Sequence, residues 1–112
     1  MMYVDFSAGA RTYKLRLSTR AIVSLEKQLG QNPVGIFGDG NTIPQITTMV
    51  QILHASLQAY EHNITMDNAF DIFDQWIADG NTSTDFIKII LDIFKVSGII
   101  RGGHLAEETE KN

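Results

Sequence analysis

Cysteine is absent from this chain, and that one gap removes several classes of protein at once. Without thiols there is no disulfide framework, no thiolate zinc site and no cysteine nucleophile. No apolar run approaches the ~18 residues a membrane span needs. The start, Met1-Met2-Tyr3-Val4-Asp5, has no basic segment leading into an apolar one, so a signal peptide is not expected. These absences predict a cytosolic chain with no membrane partner. Internal repeats are missing as well.

Catalytic patterns are equally scarce. Gly38-Asp39-Gly40-Asn41 is a turn and not a phosphate loop, since no Lys-Ser/Thr follows and no strand precedes it. No serine stands in a Gly-x-Ser-x-Gly context. His54, His62 and His104 share no ligand spacing and no paired carboxylate motif. Asp67, Asp71 and Asp74 fall at i, i+4 and i+7, so three carboxylates share a helix face that could hold a hard cation. That face is expected to lie opposite Phe70, Phe73 and Ile77, however, which makes a solvated face the simpler reading. Residues 79–85 resemble the opening of a calcium-binding loop, but Thr84 stands where glycine must make the sharp turn. Ile90 stands where a bidentate glutamate must close the site. That segment reads as a helix stop followed by a helix cap. No catalytic residue, cofactor or metal is therefore expected, and the chain is not expected to be an enzyme.

What is present is helical periodicity. Ile46, Met49, Val50, Leu53, Leu57 and Tyr60 follow i, i+3, i+4, i+7, i+11 and i+14, a single helical stripe, with Ile52 alone breaking the pattern. Thr47, Thr48, Gln51, Gln58 and Glu61 take the other side, which predicts one face for a core and one for water. Pro44 lies near the first turn and Asn63 follows the end. Around this central helix, about 45–61, the chain divides readily. Tyr3-Val4-Asp5-Phe6 and Tyr13-Lys14-Leu15-Arg16-Leu17 alternate with period two about a turn at 7–11, so residues 3–17 form a β-hairpin. Ser18-Thr19 caps a helix over 19–29, with Ile22, Leu25 and Leu29 inward and Gly30 as its stop. A glycine-rich connection over 34–42 uses Ile36 and Phe37 as a hydrophobic plug. Thr65 caps a helix over 66–79, with Asp67 in its first turn and Met66, Ala69, Phe70, Phe73, Trp76 and Ile77 on its apolar side. A last helix runs over 84–97 and is closed by Gly98.

The expected fold is thus mostly α within the α+β class: an N-terminal hairpin packed on a four-helix domain, one globular unit over 1–100, and a mobile tail over 101–112. Its expected core is Leu17, Ile22, Leu25, Met49, Leu53, Leu57, Phe70, Phe73, Ile77, Phe86, Ile90 and Phe94.

Net charge is −4 but unevenly placed. Through Gly30, five cations face two acids, a net of +3; beyond it, four cations face eleven acids, a net of −7. A basic hairpin end and an acidic third helix favour head-to-tail homo-oligomers. Nucleic acid is not expected as a partner, because the cations are few and no aromatic platform is interleaved among them.

Several stretches taken together resemble the tail assembly chaperones of long-tailed bacteriophages and prophages of Gram-positive bacteria. They are Tyr13-Lys14-Leu15-Arg16-Leu17-Ser18-Thr19-Arg20 and Leu25-Glu26-Lys27-Gln28-Leu29-Gly30-Gln31-Asn32-Pro33 with Ile36-Phe37. Ile52-Leu53-His54-Ala55-Ser56-Leu57, His62-Asn63-Ile64-Thr65-Met66 and an apolar helix ending in Val96-Ser97-Gly98 complete the set. The resemblance covers 13–98, and its motifs are caps, turns and core positions. It implies a non-enzymatic protein that binds the tape measure protein, keeps it soluble and helps recruit tail tube protein around it. It also implies action in the cytoplasm of the bacterial host and absence from the finished virion. A longer frameshifted product is frequent in that family, and Glu110-Lys111-Asn112 can be encoded by a slippery adenine run. The rival reading is a generic intracellular interaction domain, such as a small regulator or antitoxin. A DNA-binding regulator would need a cationic recognition helix, and Lys88 and Lys95 are offset by Asp85 and Asp92.

One surface stands out. In the last helix Lys88, Asp92 and Lys95 form a narrow polar strip, while its apolar residues sweep roughly 220°, about twice what one core contact needs. Either several neighbours cover the whole arc, or the flank of Ile89, Ile93 and Val96 stays open to receive a helix of the tape measure protein.

Overall fold

The computed structural model describes residues 2–37 and 43–101; the sequence's acidic tail beyond Arg101, with His104 and the 110–112 end, lies outside them. An antiparallel hairpin, β1 (Val4–Ala8) and β2 (Arg11–Leu15), leads into four helices: α1 (Thr19–Leu29), α2 (Ile46–Leu57), α3 (Met66–Ala78) and α4 (Asp85–Val96). A 3-10 helix, Pro33–Phe37, occupies the start of the glycine-rich connection, where Val34 packs on the core.

The hairpin turn is tighter than the sequence suggested. Ala8 pairs with Arg11, leaving Gly9 and Ala10 as a two-residue turn. Gly9 has φ 63 and Ala10 does not share a positive φ, the pattern of a type II′ turn, whose twist suits flanking strands. Alternation then points Phe6, Ala8, Tyr13 and Leu15 into the core.

Local caps set the helix ends. Ser18 Oγ accepts the Ala21 N–H at 3.1 Å, and Gly30 in the left-handed conformation closes α1. Thr65 and Asn68 form a reciprocal capping box at the start of α3. At the end of α4 the Ile99 N–H reaches the Phe94 carbonyl at 2.9 Å across Gly98, which has φ 79.

Helix α2 departs from expectation twice. It ends at Leu57 and not near residue 60, because the Arg16 N–H from the strand side takes the Ser56 carbonyl at 3.0 Å. A longer helix would need that carbonyl for Tyr60, whose N–H turns instead to Leu57 at 3.2 Å. Nor does α2 have one wet half. Neighbours α1, α3, α4 and β2 all pack on it, so Ile52, Ala55 and Ser56 are buried with Met49, Val50, Leu53 and Leu57. Ile52 is core, whereas Ile46 and Tyr60, at the two ends of the stripe, are exposed.

Helix α3 is rotated by about 50° from the face its apolar residues suggested, at 100° per residue. Ile72, Trp76, Ala69 and Phe73 are buried; Phe70 is 39% exposed and Ile77 half-buried. The cause is an aromatic cluster. Trp76 lies 5.5 Å from the rings of both Phe6 and Phe86, and Phe73 lies 5.2 Å from Phe86, so β1 and α4 attract the Trp76 side of the helix. Ile22 is likewise half-buried at the edge of the core, which otherwise holds the expected residues.

Candidate interaction surface

The apolar flank expected on α4 is not continuous. Ile93 is fully buried, and Phe86, Ile90 and Phe94 are buried with it. Ile89 and Val96 are half-buried, as are Ile87 and Leu91 on the opposite side of that buried line. Packing of β1 and α2 against α4 draws Ile93 inward, so of that flank Ile89 and Val96 retain a surface.

The C-terminal end of α4 joins elements far apart in sequence. Arg16 Nη1 donates to the Val96 carbonyl at 2.6 Å and to the Met2 carbonyl at 2.9 Å. The neighbouring Leu17 N–H donates to Ser97 Oγ at 2.8 Å. Together with the Arg16 N–H on Ser56, these bonds tie β2, α1, α2 and α4 at one junction. A guanidinium there also meets the negative end of the α4 dipole. Nothing in the sequence marks Arg16 for this role, since its partners are all main-chain oxygens.

Other cations of the hairpin are also engaged within the chain. Arg11 pairs with Glu61 and stacks 4.7 Å from the Tyr13 ring centroid. Lys14 Nζ lies 4.9 Å from the Tyr3 ring and 5.8 Å from Tyr60, and those two rings meet edge to face. Aromatic rings do therefore lie among the cations, contrary to the sequence reading, but the chain's own cations cover them.

The acidic features separate cleanly. Asp67, Asp71 and Asp74 are exposed on the outer face of α3. Asp79 accepts the Gly9 N–H at 2.7 Å and the Gln75 side-chain amide at 3.0 Å, fastening the hairpin tip to the end of α3. Asp85 accepts the Thr82 N–H at 2.8 Å and so closes the turn that leads into α4. Both carboxylates of the calcium-loop look-alike thus serve backbone closure. Among the described residues no group of three potential metal ligands forms, no helix is long and apolar enough to cross a membrane, and every buried side-chain nitrogen or oxygen has a partner.

A shallow groove of about 250 Å³ runs between α1 and α2. Small residues Ala21, Ser24 and Ala55 line it beside the polar Ser18, Arg20, Gln28, His54 and Gln58. His54 Nε2 donates to the Ile64 carbonyl at 2.9 Å, and the Gln58 amide donates to the same oxygen at 3.1 Å. These two side chains hold the α2–α3 connection in place. His62 is exposed in that connection.

No curated protein and no solved structure matches the chain. A protein family does, over residues 5–111, which is nearly the whole length, and the chain belongs to it: the family of unknown function DUF6096.

Proposed function

We propose that this chain is a non-enzymatic tail assembly chaperone that binds the tape measure protein and assists assembly of tail tube protein around it. It would act in the cytoplasm of a bacterial host and be left out of the virion. The observation that supports this reading is the resemblance over residues 13–98, which spans the helical body of the domain. Its motif residues Ser18, Leu25, Gly30, Leu53, Leu57, Thr65 and Gly98 serve there as caps, stops and core. A domain whose distinctive residues all shape the scaffold, with exposed apolar side chains such as Val23, Ile46 and Phe70, suits work done through contacts.

The test is co-expression with the tape measure protein that this reading expects to be encoded just downstream, followed by pull-down. Capture and increased solubility of the tape measure protein are expected; a tape measure protein that stays insoluble and uncaptured overturns the reading. Of Ile89, Ile93 and Val96, the first and last keep a surface, so Val96→Lys probes that edge without opening the core. A cation near a helix C-terminus suits the dipole, which spares the fold. Capture should be lost at an unchanged circular dichroism spectrum. Capture retained by the folded variant would move the contact away from α4.

A further inference from the structure

The outer faces of α1 and α3 carry strips of opposite charge with the same spacing. On α1, Arg20, Val23, Ser24 and Lys27 are all exposed and stand at i, i+3, i+4 and i+7. On α3, Asp67, Phe70, Asp71 and Asp74 are all exposed and stand at i, i+3, i+4 and i+7. Each strip covers about 100° of its helix, and its end charges lie about 10 Å apart at 1.5 Å per residue. Each also holds one exposed apolar residue between the end charges, Val23 at 43% and Phe70 at 39%. Glu26, the only acid of α1, points about 120° away from Arg20, and α3 has no cation.

Among the described residues none of these charges has an ion-pair partner. The ion pairs found among the described residues are Arg11–Glu61 and Lys88–Asp92, and neither involves a strip. The hairpin cations, by contrast, already hold carbonyls, a carboxylate or tyrosine rings. The basic half of any charge-driven contact therefore lies on α1 and not on the hairpin. Helix α1 packs on α2 and the 3-10 helix, whereas α3 packs on α2 and β1. Helix α2 lies against both.

We propose that α1 of one copy docks on α3 of a second copy, head to tail. An antiparallel crossing sets Arg20 against Asp74, Lys27 against Asp67 and Val23 on Phe70, with the two helix dipoles opposed. Because the two strips differ, one such contact leaves an α1 and an α3 unpaired, and the copies either exchange both contacts about a two-fold axis or continue into a ring or an open chain. One helix pair buries much less than the ~1,200 Å² of a stable interface, so the association is weak and salt-sensitive. The inference stands on the strips themselves and is independent of the chaperone reading.

Sedimentation velocity on the full chain tests it at about 0.1 M and about 1 M salt, where the screening length falls from ~10 Å to ~3 Å. The average mass should climb with protein concentration at low salt and fall back at high salt. Arg20→Glu with Lys27→Glu makes both strips acidic; Asp71→Lys with Asp74→Lys makes the α3 strip basic and leaves the Asp67 end of the helix untouched. Each double variant alone should associate about tenfold more weakly or worse, and an equimolar mixture of the two should associate again. All four positions are exposed, and thermal melts confirm that both variants are folded. A wild-type monomer at low salt, association indifferent to salt, variants that associate like wild type, or a folded mixture that stays monomeric would each overturn the proposal.

Discussion

Replacing Arg16 by methionine should cost about 2 kcal/mol, more than a half-buried surface cation ordinarily contributes. The guanidinium Nη1 donates to the Val96 carbonyl at 2.6 Å and the Met2 carbonyl at 2.9 Å. A hydrogen bond with one charged member contributes roughly 1.5–3 kcal/mol net, and a cation at a partly buried helix end roughly 0.3–2 kcal/mol. The two terms describe overlapping attraction and do not add. Methionine keeps most of the apolar stem, so the loss isolates the guanidinium. The main-chain bonds from Arg16 to Ser56 and from Leu17 to Ser97 remain as internal controls. Urea melts should show a lower midpoint at an unchanged slope. Amide exchange should quicken in the last turn of α4 before it quickens in α3. Arg16→Lys should recover part of the loss, because its ammonium keeps the charge but sits on a shorter side chain than the guanidinium Nη1 that reaches both carbonyls. A midpoint equal to wild type, or exchange that rises evenly across all helices, would refute the junction.

Four further substitutions probe the core and the turn. Leu53→Ala should cost roughly 2–5 kcal/mol, and a urea melt without loss would place Leu53 outside the core. Ile72→Ala should cost at least about 2 kcal/mol and Phe70→Ala less than about 1 kcal/mol; equal losses would contradict the observed rotation of α3. Gly9→Ala should lower stability by about 1–2 kcal/mol, since the position has φ 63 and a Cβ there would stand 3.1 Å from Gln75 Cγ. A thermal melt unchanged by that substitution would show that the turn tolerates a side chain.

Much of this architecture is written locally. The Ser18 and Thr65 caps, the Gly30 and Gly98 stops and the period-two strands depend on neighbours a few residues away, and those signals survive in the fold. What was illegible depends on how many elements surround a helix. Periodicity shows that Met49, Leu53 and Leu57 share a face, but not that four elements extend the burial round to Ile52. Phe70 and Ile72 lie on opposite flanks of the α3 stripe, and only the aromatic cluster from β1 and α4 decides which goes inside. The early end of α2 is the clearest instance: its cause is a hydrogen bond from Arg16, 40 positions away by number. On α4 the apolar residues give an arc too wide to show its centre, so the sequence leaves Ile93 open to either burial or exposure, and its neighbours bury it.

The two proposed surfaces make different demands on the fold. The strips on α1 and α3 lie on exposed helix faces and are mostly charged, and their contacts need no movement of the core. The Ile89 and Val96 edge ends on the residue whose carbonyl Arg16 holds. A partner helix laid against Val96 would press on the junction that joins β2, α1, α2 and α4, whereas a second copy on α3 would not. Binding of a tape measure helix should therefore slow amide exchange in the last turn of α4 and at Arg16 and Leu17. Self-association should leave the last turn of α4 unchanged, because its charges lie on α1 and α3 and not on α4. The separation can be read on one sample: adding salt should disperse the copies while the protection conferred by the tape measure helix persists, since an apolar contact is not screened. If salt removes both effects together, the partner does not sit on α4, and the apolar edge beside Val96 is a margin of the core.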